Sequence, residues 1–118
     1  MKAIEKELDR MVQELHKNQR CHICGAYSAT EIHHIISRKD KMLRYDITNL
    51  LPVCHACHMK IHDKGLDEYQ FLGELQAKYL KSIKNKSYKD FLIFEMQMTE
   101  NEYLKFCKKR LKDEIANL

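Results

Sequence analysis

The chain has 118 residues, of which 32% are charged, and a mean hydropathy of −0.58, so we expect one small, water-soluble domain or a domain with an appendage. No stretch approaches the roughly 20 apolar residues of a membrane span. Because residues 1–7 also lack the pattern of a signal peptide, we expect a cytoplasmic protein without membrane contact. The net charge of +4 is compatible with a nucleic-acid partner but does not establish one.

The N-terminal half is predicted to begin with a helix and continue into a knuckle and a strand. Apolar residues at helical spacing predict an amphipathic helix over residues 3–18. Segment 21–25, Cys-His-Ile-Cys-Gly, has the form of a zinc knuckle, in which Gly25 suits the positive φ of a tight turn. The β-branched residues of segment 30–36 predict a short strand. A polar loop over 37–48 follows, and its basic residues either contact phosphates or are simply solvated: Arg38, Lys39, Lys41 and Arg44.

The second half is predicted to be largely helical. A short strand is expected at residues 50–53, where Pro52 indicates an edge position. A helix over about 55–64 follows, and Gly65 stands where a C-terminal glycine would end it. The later helices are expected at residues 67–83, at residues 88–96, and after a capping box formed by Thr99 and Glu102.

The cysteines indicate a metal site. Four of the five form two Cys-x-x-Cys pairs: Cys21, Cys24, Cys54 and Cys57. In a chain without an export signal this pattern favours a metal over disulfides, and four thiolates are a ligand set of structural zinc. His22 and His55 lie inside the two pairs and are alternatives for one ligand, and four reduced cysteines without a metal are the remaining alternative. Cys107 lies outside the pattern and is expected to be a small apolar residue on a helix face.

Histidines and an asparagine surround the second cysteine pair. Neighbouring side chains on a strand point to opposite faces, so His33 and His34 should not bind one ion side by side. His58 and His62 are four residues apart on the predicted helix and can converge on an ion or a phosphate. Together with Asn49, these residues supply a base, an orienting amide and metal ligands. Metal-assisted attack of water on a phosphodiester needs those parts.

These motifs resemble the HNH endonuclease family, the ββα-metal nucleases, over roughly residues 20–64. The matching sequence motifs are Cys-x-x-Cys, Glu-x-His-His-Ile, Asn-Leu-x-Pro-x-Cys-x-x-Cys-His and Ile-His. The resemblance implies an α+β fold, in which a small ββα-metal core with a structural zinc carries an N-terminal helix and a C-terminal helical extension. We divide the chain accordingly into a helix at 1–18, an HNH core at 19–65, and a helical extension at 66–118 packed on the core.

The resemblance also implies roles for individual residues. His33 and His58 would be ligands of a catalytic ion, and His34 would be the general base that deprotonates the attacking water. Asn49 would orient His34 through its side-chain carbonyl, and His62 would be a third ligand or a phosphate contact. The expected catalytic ion is Mg²⁺ or Mn²⁺, while imidazole ligands also suit Zn²⁺, Co²⁺ or Ni²⁺.

Two positions outside this set also follow from the resemblance. Glu31 stands at an acidic position that is common in the family, and we expect it to support the ligands. Many members have a proline three residues after the second histidine, where this chain has Ser37. The resemblance therefore leaves the conformation of the following loop open.

The function implied is a single-metal DNA endonuclease that leaves 5′-phosphate and 3′-hydroxyl ends. The resemblance implies DNA, duplex or branched, as the partner. The helical tail also loosely resembles phage recombination nucleases that act on branched DNA. One alternative is a zinc-stabilised DNA-binding or adaptor module that no longer cuts. The other is an RNA nuclease, since a ββα-metal site does not itself select the sugar.

Overall fold

A computed structural model describes residues 2–37, 43–84 and 96–118. Within these ranges the chain forms four α-helices and one antiparallel two-stranded sheet. The helices are α1 (Ala3–Glu14), α2 (His55–Lys64), α3 (Glu74–Ile83) and α4 (Glu100–Ala116), and the strands are β1 (Glu31–His34) and β2 (Leu50–Val53). Short 3₁₀ helices cover Leu43–Tyr45, Ile47–Asn49 and Glu68–Phe71. The α+β class with a ββα core is thus confirmed, because β1, β2 and α2 follow one another and four cysteines lie around them.

The register of the hairpin decides which side chains share a face. Glu31 lies opposite Val53, and His33 lies opposite Leu51. Because side chains alternate along a strand, His33 shares the face of Leu51 and Val53, while His34 lies on the other face. The two adjacent histidines are therefore separated by the hairpin itself.

Each face of the hairpin packs against its own hydrophobic cluster. The main core joins one face to α1, α3 and α4, and its buried members are Leu8, Met11, Val12, Leu15, Ile32, Leu43, Tyr45, Leu50, Leu80, Ile83, Tyr103, Leu104, Cys107 and Leu111. The smaller cluster lies on the other face and consists of Cys21, Leu51, Val53, Cys54 and Cys57. Cys107 is 3% exposed in the main core, as expected for a small apolar residue.

Several local features agree with the sequence-based expectations. α2 ends at Gly65, which has φ of 67°. Gly25 of the knuckle has φ of 65°. The capping box is present, with the N–H of Glu102 donating to Oγ1 of Thr99 at 3.2 Å. Pro52 has no N–H to donate, and its carbonyl accepts from the backbone N–H of the knuckle at 3.0 Å.

Two predicted helices are shorter than expected. The first helix ends at Glu14 rather than at residue 18, and the turn that follows places Asn18 at φ of 59°. The segment 67–83 is not one helix, because Gly73 caps the start of α3 and Leu72 before it is extended. Apolar periodicity does not register such a break. The predicted helix at 88–96 lies outside the described residues except for its last position.

A buried carboxylate ties the segment between the strands to the C-terminal helices. Asp46 is 3% exposed. It accepts from the N–H of Thr48 and from the hydroxyl of Tyr79 on α3, each at 3.0 Å. The guanidinium of Arg110 on α4 lies 3.8 Å away. The 3₁₀ helix that precedes β2 is therefore held from two later helices.

None of the helices in the described ranges is long and apolar enough to cross a bilayer.

Candidate active site

Four cysteines come together where the knuckle meets the start of α2. Sulfur atoms of Cys21, Cys24, Cys54 and Cys57 all lie within 4.8 Å of one another. The Sγ atoms of Cys24 and Cys54 are 4.0 Å apart. Four thiolates at about 2.3 Å from zinc would lie about 3.8 Å from one another in a tetrahedron. This sulfur cluster could therefore hold zinc. The ring of His22 instead forms a hydrogen bond to a neighbouring glutamine.

Backbone N–H groups stabilise negative charge on the sulfur cluster. The N–H of Ile23 lies 3.4 Å from Sγ of Cys21. Burial raises the pKa of the Cys21 thiol, but hydrogen bonds from three nearby backbone groups outweigh burial and lower that pKa to about 6. Burial and the neighbouring cysteine side chains raise the pKa of Cys57 to about 12. Four thiolates this close repel one another, so a divalent cation is what would keep all of them ionised.

Three histidines form a second cluster on the same hairpin and helix. His33 is on β1, and His58 and His62 are on successive turns of α2. One ring nitrogen of each lies within 4.8 Å of the other two. The ring centroids are 5.1 Å apart for His33 and His58, 5.4 Å for His33 and His62, and 4.8 Å for His58 and His62. This imidazole cluster (His33, His58, His62) has a donor set suited to a divalent cation.

Glu31 lies behind the imidazole cluster and contacts two histidines. Its Oε1 is 2.7 Å from Nδ1 of His58, and its Oε2 is 2.7 Å from Nδ1 of His55. Because a carboxylate only accepts, the proton of a neutral His58 ring is on Nδ1 and its Nε2 is the nitrogen able to bind an ion. The hydrogen bond from His58 is also the main cause that lowers the pKa of the Glu31 carboxyl. The contact is of the kind expected for a supporting carboxylate, and it engages Nδ1 of His55 as well.

His34 lines the same open cleft as the imidazole cluster, although it lies on the other face of the hairpin. Its Nε2 is 3.1 Å from the backbone carbonyl of Arg44. A carbonyl can only accept, so this contact places the proton of a neutral ring on Nε2 and makes Nδ1 the basic nitrogen. Arg44 is held in turn by Asp9 of α1, with 3.0 Å between Nε and Oδ1.

Asn49 is fully buried and binds backbone groups rather than His34. Its Oδ1 accepts from the N–H of Ile36 at 2.7 Å. Its Nδ2 donates to the carbonyls of Ile36 at 3.0 Å and Leu43 at 3.1 Å. The expected hydrogen bond from the Asn49 side-chain carbonyl to His34 therefore has to be corrected, because that oxygen accepts from Ile36 while Arg44 holds the ring. Asn49 thereby joins Ile36 to Leu43, the residue that precedes Arg44.

Glu68 is a site residue that the sequence did not indicate. Its Oε1 is 3.3 Å from Nε2 of His33, and the two side chains are 16% and 6% exposed. Burial lowers the pKa of His33, and the contact with Glu68 opposes that shift without cancelling it. No sequence motif distinguishes Glu68 from its acidic neighbour Asp67 as a site residue. Only the turn at Gly65 brings it back to the cleft.

The basic side chains near the cleft fall into different groups. Lys60 and Lys64 are exposed on α2, and Lys84 lines the cleft at the end of α3. Arg44, for which phosphate contact and solvation were both open, is in the ion pair with Asp9. The other three basic residues of the predicted loop lie outside the described residues: Arg38, Lys39 and Lys41.

Residues 19–64 match the family model described as HNH endonuclease. The match covers the knuckle, both strands and α2, which are the elements that carry the two clusters. The chain is thus similar to HNH endonucleases over this segment, and that similarity indicates nuclease activity in general terms. The comparisons with curated proteins and with solved structures gave no significant match.

Proposed function

We propose that the protein is a metal-dependent endonuclease that hydrolyses phosphodiester bonds of DNA. The observation that carries this proposal is the shared cleft, into which β1 contributes His33 and His34 and α2 contributes His58 and His62. A set of neutral nitrogen ligands and a separate imidazole base thus border one space. Hydrolysis of a phosphodiester requires both, placed on either side of the reacting phosphorus.

We assign the general base to Nδ1 of His34. The contact of Nε2 with the Arg44 carbonyl sets the tautomer that makes Nδ1 basic. A neutral imidazole in this position can accept a proton from the attacking water. Attack on phosphorus with departure of the 3′ oxygen leaves 5′-phosphate and 3′-hydroxyl ends.

We assign the site of the catalytic ion to the imidazole cluster. The three imidazoles would hold a Mg²⁺ or Mn²⁺ ion, which would supply positive charge to stabilise the transition state. His33 suits this role because burial lowers its pKa and so favours the neutral ring that a ligand requires. Glu31 orients His58 with Nε2 available as the ligand atom. Zn²⁺, Co²⁺ and Ni²⁺ are alternatives for these donors.

We further propose that the sulfur cluster holds a structural zinc ion and that residues 19–65 are the catalytic unit. Residues 1–18 and 66–118 would then be its helical supports. The ion pair from Asp9 and the hydrogen bond from Tyr79 favour this arrangement, since both hold the segment between the two strands. DNA as the substrate is favoured by the net charge of +4 and by Lys84 in the wall of the cleft.

The test is a cleavage assay on supercoiled plasmid, branched DNA and RNA with Mg²⁺ or Mn²⁺. The wild-type protein should cut DNA, and His34→Ala should lower the rate by about 10²- to 10⁴-fold, the usual contribution of a general base. Folding and zinc content of the variant should be unchanged. His16→Ala, in the turn after α1, is the matched control and should cut like the wild type.

Each alternative has its own outcome in the same assay. Wild-type rates for His34→Ala would show that another group is the base. Binding of plasmid without nicking by the wild-type protein would identify a non-catalytic DNA-binding module. Cleavage confined to RNA would identify a ribonuclease built on the same site.

A further inference from the structure

The acidic residues of α1 lie beside its packed face. All four of them are half-buried: Glu5, Glu7, Asp9 and Glu14. Two are in ion pairs with distant segments of the chain. Oδ1 of Asp9 lies 3.0 Å from Nε of Arg44, and Oε2 of Glu7 lies 3.1 Å from Nζ of Lys108. The negative charge of this helix is therefore directed toward the rest of the protein.

The basic residues of α1 occupy the opposite side of the helix. Lys6 and Arg10 are exposed, and neither forms an ion pair within the part of the chain that the structure describes. At about 100° per residue, positions 6, 10 and 13 fall within about 60° of one another and opposite the buried side chain of Leu8. Lys6, Arg10 and Gln13 thus form an outer stripe that carries only positive charge.

The outer stripe leads to the candidate active site. Gln13, at its C-terminal end, lines the cleft together with His33 and His34 of β1. Arg10 and Lys6 precede Gln13 on the same side of the helix, by about 5 and 10 Å along the axis. The two positive charges therefore lie on a surface that begins at the edge of the cleft.

The cleft itself offers little attraction to a polyanion. Its described lining contains three carboxylates and one ammonium group: Glu31, Asp67, Glu68 and Lys84. A divalent ion would offset part of the negative charge at the reacting phosphate, but the phosphates on either side of it would still be repelled by carboxylates. Attraction for the flanking DNA must therefore come from outside the cleft.

We propose that the outer stripe of α1 binds the phosphate backbone of DNA next to the reacting position. This inference rests on the proposed function in taking DNA as the substrate and the cleft as the place of reaction. Lys6 and Arg10 are about 6 Å apart along the helix axis, which spans about two phosphate steps of one strand in B-form DNA. Each neutralises one phosphate, and the amide of Gln13 donates to a backbone oxygen nearest the cleft.

The test measures binding of a fluorescently labelled DNA duplex to the zinc-loaded full chain by anisotropy, over a series of salt concentrations and without added Mg²⁺ or Mn²⁺. Lys6→Gln combined with Arg10→Gln should raise Kd by about 10-fold or more near 0.1 M salt. The slope of log Kd against log salt concentration should fall by about 2, one for each lost phosphate contact. Arg10→Lys keeps the charge and should bind like the wild type.

Lys105→Gln combined with Lys109→Gln is the matched control. Both residues are exposed and four positions apart on α4, no residue of which is among the described residues that line the cleft. The control loses the same two charges, so its Kd should stay within about 2-fold of the wild-type value if placement matters and net charge does not. Circular dichroism should show that both double variants are folded, because the substitutions lie at exposed helix positions.

The comparison of the two double variants decides the matter. Equal changes in Kd and slope would overturn the inference, because net charge alone would then explain the binding. Absence of DNA binding by the wild-type protein would overturn it as well. Since the readout is binding, a protein that holds DNA through the outer stripe but never cuts it would refute the proposed function alone. A protein that cuts DNA and keeps its Kd and slope without Lys6 and Arg10 would refute the binding surface alone.

Discussion

The sulfur cluster and the imidazole cluster are built from the same strands and the same helix, yet their surroundings differ. Cys57 and His58 are neighbours on α2 and point into different clusters. Three of the four cysteines pack with Leu51 and Val53 in an apolar cluster of their own, while Cys24 is exposed. The imidazole cluster borders an open cleft, and His62 is exposed there.

This difference indicates that the sulfur cluster supports the fold and that the imidazole cluster takes part in the chemistry. A closed set of four thiolates leaves an ion no position for substrate, whereas a set that opens on a cleft leaves room for water and a phosphate. Because one helix start contributes to both clusters, a structural ion would fix the orientation of the ligands of a catalytic ion. The predictions that follow are ordered by how strongly they should separate the two clusters.

The largest effect should come from Cys54→Ser, which removes a buried thiolate at the N-cap of α2. Structural zinc binding is worth about 10–16 kcal/mol in apparent terms, comparable to the roughly 5–15 kcal/mol that stabilises a small domain. The variant should lose its zinc and its cooperative unfolding transition. Metal analysis and circular dichroism during thermal unfolding are the measurements.

The matched change in the other cluster is His58→Ala. It removes a half-buried ligand on the next turn of the same helix, so zinc content and the unfolding transition should stay close to wild type while cleavage is lost. If His58→Ala unfolds the protein as Cys54→Ser does, the assignment of a structural role to the sulfur cluster and a catalytic role to the imidazole cluster is wrong.

An intermediate effect is expected from Asn49→Ala, which affects both stability and chemistry. The substitution leaves the N–H of Ile36 and the carbonyl of Leu43 without their buried partner, and the cost should be about 2–4 kcal/mol in the free energy of unfolding. Cleavage should fall by about 10²-fold, because a displacement of about 1 Å in a catalytic group has that effect. Urea unfolding and plasmid nicking measure the two quantities.

Asn49→Asp is the informative companion. It keeps an acceptor for the N–H of Ile36 but has no N–H to donate to the two carbonyls. Because the buried carboxylate would face the carbonyl oxygens of Ile36 and Leu43, the loss of stability should be at least as large as in Asn49→Ala. A variant that is fully stable but inactive would instead indicate a direct role for the Asn49 side chain in catalysis.

The smallest effect is expected from Tyr79→Phe, which deletes the hydroxyl that donates to Asp46 at 3.0 Å. Loss of one such bond should lower the free energy of unfolding by about 1 kcal/mol. Cleavage should change little, since the N–H of Thr48 still binds the same carboxylate. Urea unfolding checks the first statement, and a large loss of cleavage would show that α3 positions the active site more directly.

The sequence allowed the core of the fold and both clusters to be predicted, because the motifs that define them are short segments of the chain. Paired cysteines, adjacent histidines on a strand and histidines four apart on a helix are read from short spacings, which backbone geometry converts into positions. The break at Gly73 and the end of α1 at Glu14 were less accessible, because apolar periodicity continues past a boundary that a single turn decides.

The sequence by itself therefore determined which residues could bind metal and which faces they occupy, since those follow from the periods of helix and strand. Only the tertiary structure decided their partners. Asn49 binds the loop backbone, Arg44 provides a carbonyl for His34, and Glu68 returns to His33 from beyond α2. Such contacts depend on how distant segments fold back on one another, and no spacing along the chain encodes that directly.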